Sequence, residues 1–564
     1  MPRSVIDPVT RIEGHMRAEM EVKNGVVVDA WVSGGSFRGM EKVVEHRTPA
    51  DAAQIVQRIC GVCPVSHNHA STIAAEKAYG IKIPNNARII RNMIEGAQFL
   101  HSHILWLYNL AALDYVNPIN ALAADPTDAY DLALQVGTST NSDLHAVQQR
   151  LAAFAENGQL SIFSGNWFDA DDGEAYKLSP EADLICTSHY LEAIKMQARS
   201  SEIAGLLGGK MPHVMTIIPG GTAFVPTAQK LDDLWAMCNE VYDWVAATVI
   251  PDTLVLAAAY PEVLEFGQGC GRFGAWGVFE RPSMEMNDRY LPAGVVLEGL
   301  TGGVKDVQES LITEFVGHSW YDGAGVFQAP NFTTEPVFTG YDVNDRYSWC
   351  KAPAYDGKAL ECTSLSRVLV AYLRGLSPKY REQNKWMVEN VDAFLVALGA
   401  VLGLGGPAPV TAAISTLGRT GIRQLETLYI AQLMKDWCAE LIEAVKSGDS
   451  TYFTNGITDT GEGSGFWEAP RGALYHSEKV VGGKIEGYQI IIPTTWNLAP
   501  INQNGEHGPI EQALIGCPVG TIEKPINPLR TIHSYDPCVS CAVHVSEPAT
   551  GKHFETVINP WGVK

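Results

Sequence analysis

A chain of 564 residues with 46% hydrophobic and 18% charged side chains can bury a large core. Its formal net charge of −22 leaves no basic footprint for nucleic acid, and 11 cysteines, an odd and sparse number, exclude a disulfide scaffold. The start, Met1-Pro-Arg-Ser-Val-Ile-Asp-Pro, has no hydrophobic signal core, so no signal peptide is expected on this chain.

Residues 16–22 and 26–32 alternate apolar and polar side chains around Asn24-Gly25, which predicts a β-hairpin. A helix is predicted to start at Thr48-Pro49, with Thr48 as its cap, and to run toward Cys60. Over residues 86–114 apolar side chains recur at helical spacing and surround the second half, as in a helix buried within a bundle. Residues 181–206 and 226–248 read as helices, 252–346 as strands and loops, and 384–403 and 411–445 as a second helical block. The apolar stretch 391–406 is too short and too rich in glycine to span a bilayer, so it reads as a buried helix and no direct membrane span is expected. A loop-rich tail carries a strand-like segment over 488–496.

Two C-x-x-C pairs lie near the two ends: Cys60 and Cys63 in Arg58-Ile-Cys-Gly-Val-Cys-Pro-Val-Ser-His67, and Cys538 and Cys541 in Asp536-Pro-Cys-Val-Ser-Cys-Ala-Val-His544. Two intervening residues let both thiolates of a pair turn to one metal, and four thiolates suit zinc, copper(I), nickel or iron. Structural zinc sites hold their pairs tens of residues apart on a small module that lacks a core, whereas these pairs stand hundreds of residues apart in a chain with ample core. A redox C-x-x-C would sit beside a βαβ pattern, which neither pair has. The segments therefore read as two halves of one site. Only one interlocked body could hold a metal between them. The other seven cysteines read as small buried hydrophobes.

These two segments, with Arg11-Ile-Glu-Gly-His15, Phe37-Arg-Gly-Met-Glu41, Tyr347-Ser-Trp349, Ala469-Pro-Arg-Gly-Ala-Leu474 and Pro493-Thr-Thr-Trp-Asn497, resemble in content and order the motifs of nickel-iron hydrogenase large subunits. The resemblance covers essentially the whole chain. It implies an α+β fold, a single large interlocked subunit with a central long-helix bundle and peripheral small β-sheets. It implies reversible heterolytic cleavage of H2 to protons and electrons at a nickel-iron centre whose iron carries carbon monoxide and two cyanides. Cys60 and Cys538 would be terminal nickel thiolates, and Cys63 and Cys541 would bridge nickel to iron. Cys538 and Glu13 would carry the proton away. Arg471 would lie over the iron and its diatomic ligands, with Thr494 donating to the other cyanide. Asp114 and Asp536 would orient Arg471, and His67 would be a donor near a bridging cysteine. Glu41, His544 and a backbone carbonyl near Ile490 would hold magnesium. Val62 and Leu110 would stand at the inner end of the gas passage; their mid-sized aliphatic chains favour a turnover enzyme over an H2-sensing regulatory subunit. Retention of all four cysteines disfavours a metal-free structural relative.

Trp106 and Asn109 replace histidines common on the family's long helix, and Tyr475 and Ser477 replace a glycine and a tryptophan. The family is trimmed after the histidine of its second motif, yet this chain runs on through residues 545–564. Residues 1–544 are therefore expected to form the catalytic domain. The rest would be an extension cut between His544 and Val545 by a maturation endopeptidase once the nickel-insertion machinery has acted. No further cysteine cluster here could hold iron-sulfur clusters, so the expected partner is a small subunit that carries them. An export signal commonly sits on that subunit, which favours a periplasmic or membrane-associated location over a cytoplasmic one.

Overall fold

The computed structural model describes residues 3–160 and 167–539. Its axis is a pair of packed helices, Asn85–Leu105 and Thr416–Lys446, flanked by Pro180–Gly208 and Ala228–Trp244. Gly96 lets the first two approach closely, since a Cβ there would lie 2.6 Å from the Met434 sulfur and 3.2 Å from the Trp437 ring. Small antiparallel sheets lie around this bundle. The main apolar cluster runs from Ile6 to Val539 and includes Cys60, Cys63 and Cys538, so both ends of the described chain share one core. This is the α+β architecture that the motifs imply.

Local chemistry accounts for several elements. The hairpin Met16–Lys23 and Val26–Gly34 turns at Asn24-Gly25, both with positive φ (54° and 77°), as a two-residue turn matched to strand twist requires. Thr48 caps the helix Pro49–Val56, its hydroxyl accepting the Asp51 N–H at 3.1 Å. The helix predicted over 86–114 keeps its span but changes its winding. After Leu105 it widens into a π turn, Trp106–Ala111, and then tightens into a 3-10 turn, Ala112–Asp114. Widening redirects backbone carbonyls, and that of Leu110 accepts from Arg11 Nη1 at 2.5 Å.

Two expectations fail at prolines. The helix expected to stop near 248 passes through a π turn, Val245–Val249, and continues as Ile250–Ala259, the wider turn lying just before Pro251, which has no N–H to give to the regular ladder. Within Ala228–Ala259 the most apolar 18-residue window has a mean hydropathy of 1.3, long and apolar enough to cross a bilayer, and 50% of that window is buried within the chain. The strand expected over 488–496 ends at Ile491; Pro493 cannot donate to a ladder and instead opens the helical turn Pro493–Asn497.

The helix that positions the first cysteine pair, Pro64–Tyr79, is buried on all sides from Pro64 to Glu76, and His67, Asn68, His69 and Ser71 break its apolar periodicity. It rests on a three-stranded sheet, Gly461–Ala469, Gly472–Val481 and Lys484–Ile491. Gly461, Gly463 and Gly465 share one face of the first strand. A Cβ at each would fall 2.2, 2.2 and 1.9 Å from the carbonyl oxygens of Ala78, Ala74 and Ala70. Backbone therefore lies directly on backbone where this helix meets the sheet.

Candidate metal centre

Cys60 ends the 3-10 turn Gln57–Ile59, and Cys63 stands at the N-cap of Pro64–Tyr79, with Pro64 in the first turn. The Val62 and Cys63 amides donate to the Cys60 sulfur at 3.2 and 3.4 Å, contacts that favour a thiolate. Cys538 arrives from the far end of the chain after the helix Ile526–Ser534. It forms a parallel bridge with Glu13, reinforced by the Val539 N–H donating to the Glu13 carbonyl at 2.6 Å. The Thr494 hydroxyl accepts the Cys538 N–H at 3.0 Å. The Cys60 and Cys538 sulfurs stand 3.5 Å apart, and those of Cys60, Cys63 and Cys538 all lie within 4.8 Å of one another. All three are buried. Cys541, His544 and Val545 fall outside the described residues.

Buried thiolates this close repel one another and need positive charge. Part of it comes from Arg471, also buried, whose Nε lies 3.1 Å from Asp536 Oδ1. Burial alone would lower the pKa of this guanidinium, but Asp536 and the thiols of Cys538, Cys63 and Cys60 raise it well above the usual value. Arg471 sits in the tight turn between two paired strands. Gly472 completes that turn at φ +136°, where a Cβ would lie 1.8 Å from the Cys362 carbonyl. Asp536 itself has φ 52°, a left-handed conformation that costs a non-glycine residue energy and is held by the surrounding structure. The remaining charge deficit and the sulfur donors suit soft or borderline cations such as nickel and iron.

Asp114 does not orient Arg471. Its carboxylate binds Arg11 Nη2 at 2.5 Å and His533 Nδ1 at 2.6 Å, while its carbonyl accepts from Arg530. Burial would raise its pKa, yet Arg11 and His533 hold it down to about 2. The reason is positional: the 3-10 turn at the end of the long helix faces the segment before Glu13, not the Arg471 turn. His533 also reaches the Thr10 carbonyl at 2.8 Å. Asp114 thus ties the segment bearing Glu13 to the helix that precedes Cys538. Glu13 is half-buried, as are Val62, between the first two cysteines, and Leu110, on the π turn.

Glu41 meets Ile490, whose N–H donates to its Oε1 at 2.8 Å. The N–H and C=O of one strand residue point to the same side, so the Ile490 carbonyl leaves the same edge of the sheet as its N–H. Burial raises the Glu41 pKa, with Lys351 opposing. Lys351 pairs with Glu314 at 3.2 Å, and both line the same small cavity as Glu41 and Ile490. Glu314 and Lys351 carry no motif signal, nor do Arg11 and His533 as partners of Asp114; only the fold brings them together. His67 is buried and its pKa falls to about 4 through desolvation. Its Nδ1 meets His476 Nε2 at 3.1 Å.

A family profile described as "Nickel-dependent hydrogenase" matches residues 38–544. The chain belongs to the nickel-dependent hydrogenases. It is 38% identical to the Hydrogenase-2 large chain of Escherichia coli (strain K12), covering 96% of this chain and 97% of that one. It is 37% identical to the periplasmic [NiFeSe] hydrogenase large subunit of Desulfomicrobium baculatum, covering 98% and 96%. The structure of the [NiFeSe]-hydrogenase from Dm. baculatum superposes with a TM-score of 0.78 at 35% identity, covering 96% of this chain and 100% of that one. The Ni-Fe-Se hydrogenase from D. vulgaris Hildenborough superposes with a TM-score of 0.79 at 34% identity, covering 96% and 100%. This hydrogenase chain carries cysteine at all four motif positions. It is a catalytic large subunit, an oxidoreductase acting on H2 with nickel and iron, and it works with a small subunit. A regulatory role is not favoured.

Proposed function

We propose that this hydrogenase holds nickel and iron between Cys60, Cys63, Cys538 and Cys541 and passes electrons to iron-sulfur clusters on its small subunit. The convergence of three buried thiols on the buried Arg471 guanidinium carries this reading. When bound, the two metals supply the heterolytic cleavage of H2. Cys60, Cys63, Cys538 and Cys541 would hold the metals, Cys60 and Cys538 as the terminal and Cys63 and Cys541 as the shared thiolates that the family resemblance implies. Arg471, oriented by Asp536, and Thr494 would offer donors to the cyanides of an iron that would also carry carbon monoxide. Glu13 takes the proton from Cys538, a role supported by the backbone bridge between the two residues. Asp114 acts one step removed, by fixing Arg11 and hence the approach of Glu13. Glu41 and the Ile490 carbonyl, joined by His544, bind magnesium. Val62 and Leu110 line the inner end of the gas passage.

The catalytic domain comprises residues 1–544, and a maturation endopeptidase removes 545–564 after nickel insertion. The small subunit takes the complex to the periplasm or the membrane, in keeping with a relative named periplasmic, and this chain itself neither spans the bilayer nor binds nucleic acid.

Co-purified with its small subunit, the protein should contain nickel and iron, show carbon monoxide and cyanide infrared bands, and reduce an artificial acceptor with H2. Absence of the metals and of turnover would sink the reading. Glu13→Gln should keep both metals and lose roughly 10²–10⁴-fold in turnover; wild-type turnover in that variant removes Glu13 from the proton path. Intact mass of active protein should end at His544, and a mass that includes Lys564 refutes the cut.

A further inference from the structure

The strands Gly461–Ala469 and Gly472–Val481 pair as far as Ala469 and Gly472, which leaves Pro470 and Arg471 as a two-residue turn. Loops of this length favour turn forms with positive φ at the first central residue, because those forms match the twist of the strands. Pro470 cannot adopt such a φ, and Arg471 also has a negative one. The common forms that remain splay the strands, and they differ in which way the peptide between the two central residues faces. That peptide carries the Pro470 carbonyl. Turning it over would put Arg471 at a strained positive φ and re-aim its side chain. A turn at odds with its own strands depends on outside contacts for its geometry.

Those contacts come from the helix Ser364–Gly375. Arg367 Nη1 donates to the Ala469 carbonyl at 2.9 Å and Nη2 to the Pro470 carbonyl at 2.8 Å, so one guanidinium grips both peptides that lead into Arg471. The Ser364 hydroxyl adds a bond to the Pro470 carbonyl at 3.3 Å. Its single proton must go there, because its other two partners, Arg367 Nη2 at 3.0 Å and Arg423 Nε at 3.2 Å, are donors.

Arg367 is itself held fast. Glu426, on the helix Thr416–Lys446, accepts from its Nε at 2.6 Å and its Nη2 at 2.8 Å, and Glu468 accepts from Nη1 at 2.9 Å. His103, on the helix Asn85–Leu105, meets Glu426 at 2.9 Å. All four side chains are fully buried. A lysine could balance these carboxylates, but only a flat fork with five donors can reach two carboxylates and two carbonyls at once.

We propose that Arg367, assisted by Ser364, is a positioning residue for Arg471: its grip on the Ala469 and Pro470 carbonyls aims the Arg471 guanidinium at the cysteine centre. The inference deepens the proposed role of Arg471 and rests on it. Asp536 holds the head of that side chain, at Nε, while Arg367 fixes its root in the backbone. The aim is thereby tied to both helices of the central pair.

The test uses the metal-loaded complex with its small subunit. Arg367→Lys keeps a cation for Glu426 and Glu468 but loses the fork, and should lower kcat for H2 oxidation roughly 10–100-fold with KM, nickel and iron unchanged. Its cyanide infrared bands should shift in the direction they take in Arg471→Lys, and its crystal structure should show the Arg471 guanidinium displaced. In the Arg471→Lys background the same substitution should cost little more, since both changes act through one side chain. Wild-type turnover and bands in Arg367→Lys would overturn the proposal. So would a full further loss in the double variant, the mark of a merely structural role. If Arg367→Lys does not load metal, Ser364→Ala decides: a fall of about 3-fold with shifted bands supports the grip, and wild-type values overturn it. Wild-type turnover and bands in Arg471→Lys would instead remove Arg471 from the proposed function, so the two failures are distinguishable.

Discussion

The two cysteine-bearing segments reach one centre by opposite means. Cys60 and Cys63 take their shape first from immediate neighbours: a 3-10 turn, two amides donating to one sulfur, and Pro64 opening a helix. Cys538 takes its shape from distant chain, namely the Glu13 backbone, the Thr494 hydroxyl and a strained Asp536. One half of the site is thus shaped locally and only its helix is seated by distant chain, whereas the other takes its shape itself from the finished fold. Damage to the first should therefore act through its helix, and damage to the second directly at its cysteine.

The largest effect is expected at the seat of the first half. Gly465→Val drives a side chain into the Ala70 carbonyl, a backbone contact that cannot move aside. It should cost at least about 3 kcal/mol in urea unfolding and empty the centre of nickel; a soluble variant with full nickel would show that this half does not need its seat. Next comes the bridge behind the second half. Asp114→Asn leaves Arg11 and His533 without their buried anion and should cost about 3 kcal/mol, with Glu13-dependent turnover falling while the helix Pro64–Tyr79 keeps its protection from hydrogen exchange.

The same carboxyl sets an acid limit. Its pKa is depressed from 3.8 to about 2, so its contribution, about 2 kcal/mol, is complete above pH 4 and is lost as pH falls from about 4 to 2. Asp114→Asn should flatten that part of the stability profile, and an unchanged profile would place the acid sensitivity elsewhere. The smallest effect is at Thr494. Thr494→Val strips the acceptor from the buried Cys538 N–H and should cost about 1–3 kcal/mol, whereas Thr494→Ser should cost almost nothing; equal thermal shifts for the two would show that the methyl, not the hydroxyl, matters.

The same contrast explains what could be read from the sequence. Asn24-Gly25 and Thr48-Pro49 act on their own neighbours, so the hairpin and the capped helix were legible. The helix Pro64–Tyr79 was not, because total burial erases the polar face that periodicity needs. Its seat was equally hidden, since Gly461, Gly463 and Gly465 look like a loop until a helix backbone is laid on them. At the centre, the cysteines, Glu13, Thr494 and Arg471 stand in motifs and were legible as candidates. The partner of Asp114 was misread because only tertiary structure decides between Arg11 and Arg471. Glu314 and Lys351 beside Glu41 had no local signal at all.

The bridge between Glu13 and Cys538 also has a consequence in time. During synthesis the segment around Glu13 leaves the ribosome early, and the strand it must hold emerges hundreds of residues later. For that whole interval the first cysteine pair has no partner across the site. A metal delivered in that interval could meet only half of its ligands, so loading is restricted to chains that have been completed and have brought their two ends together.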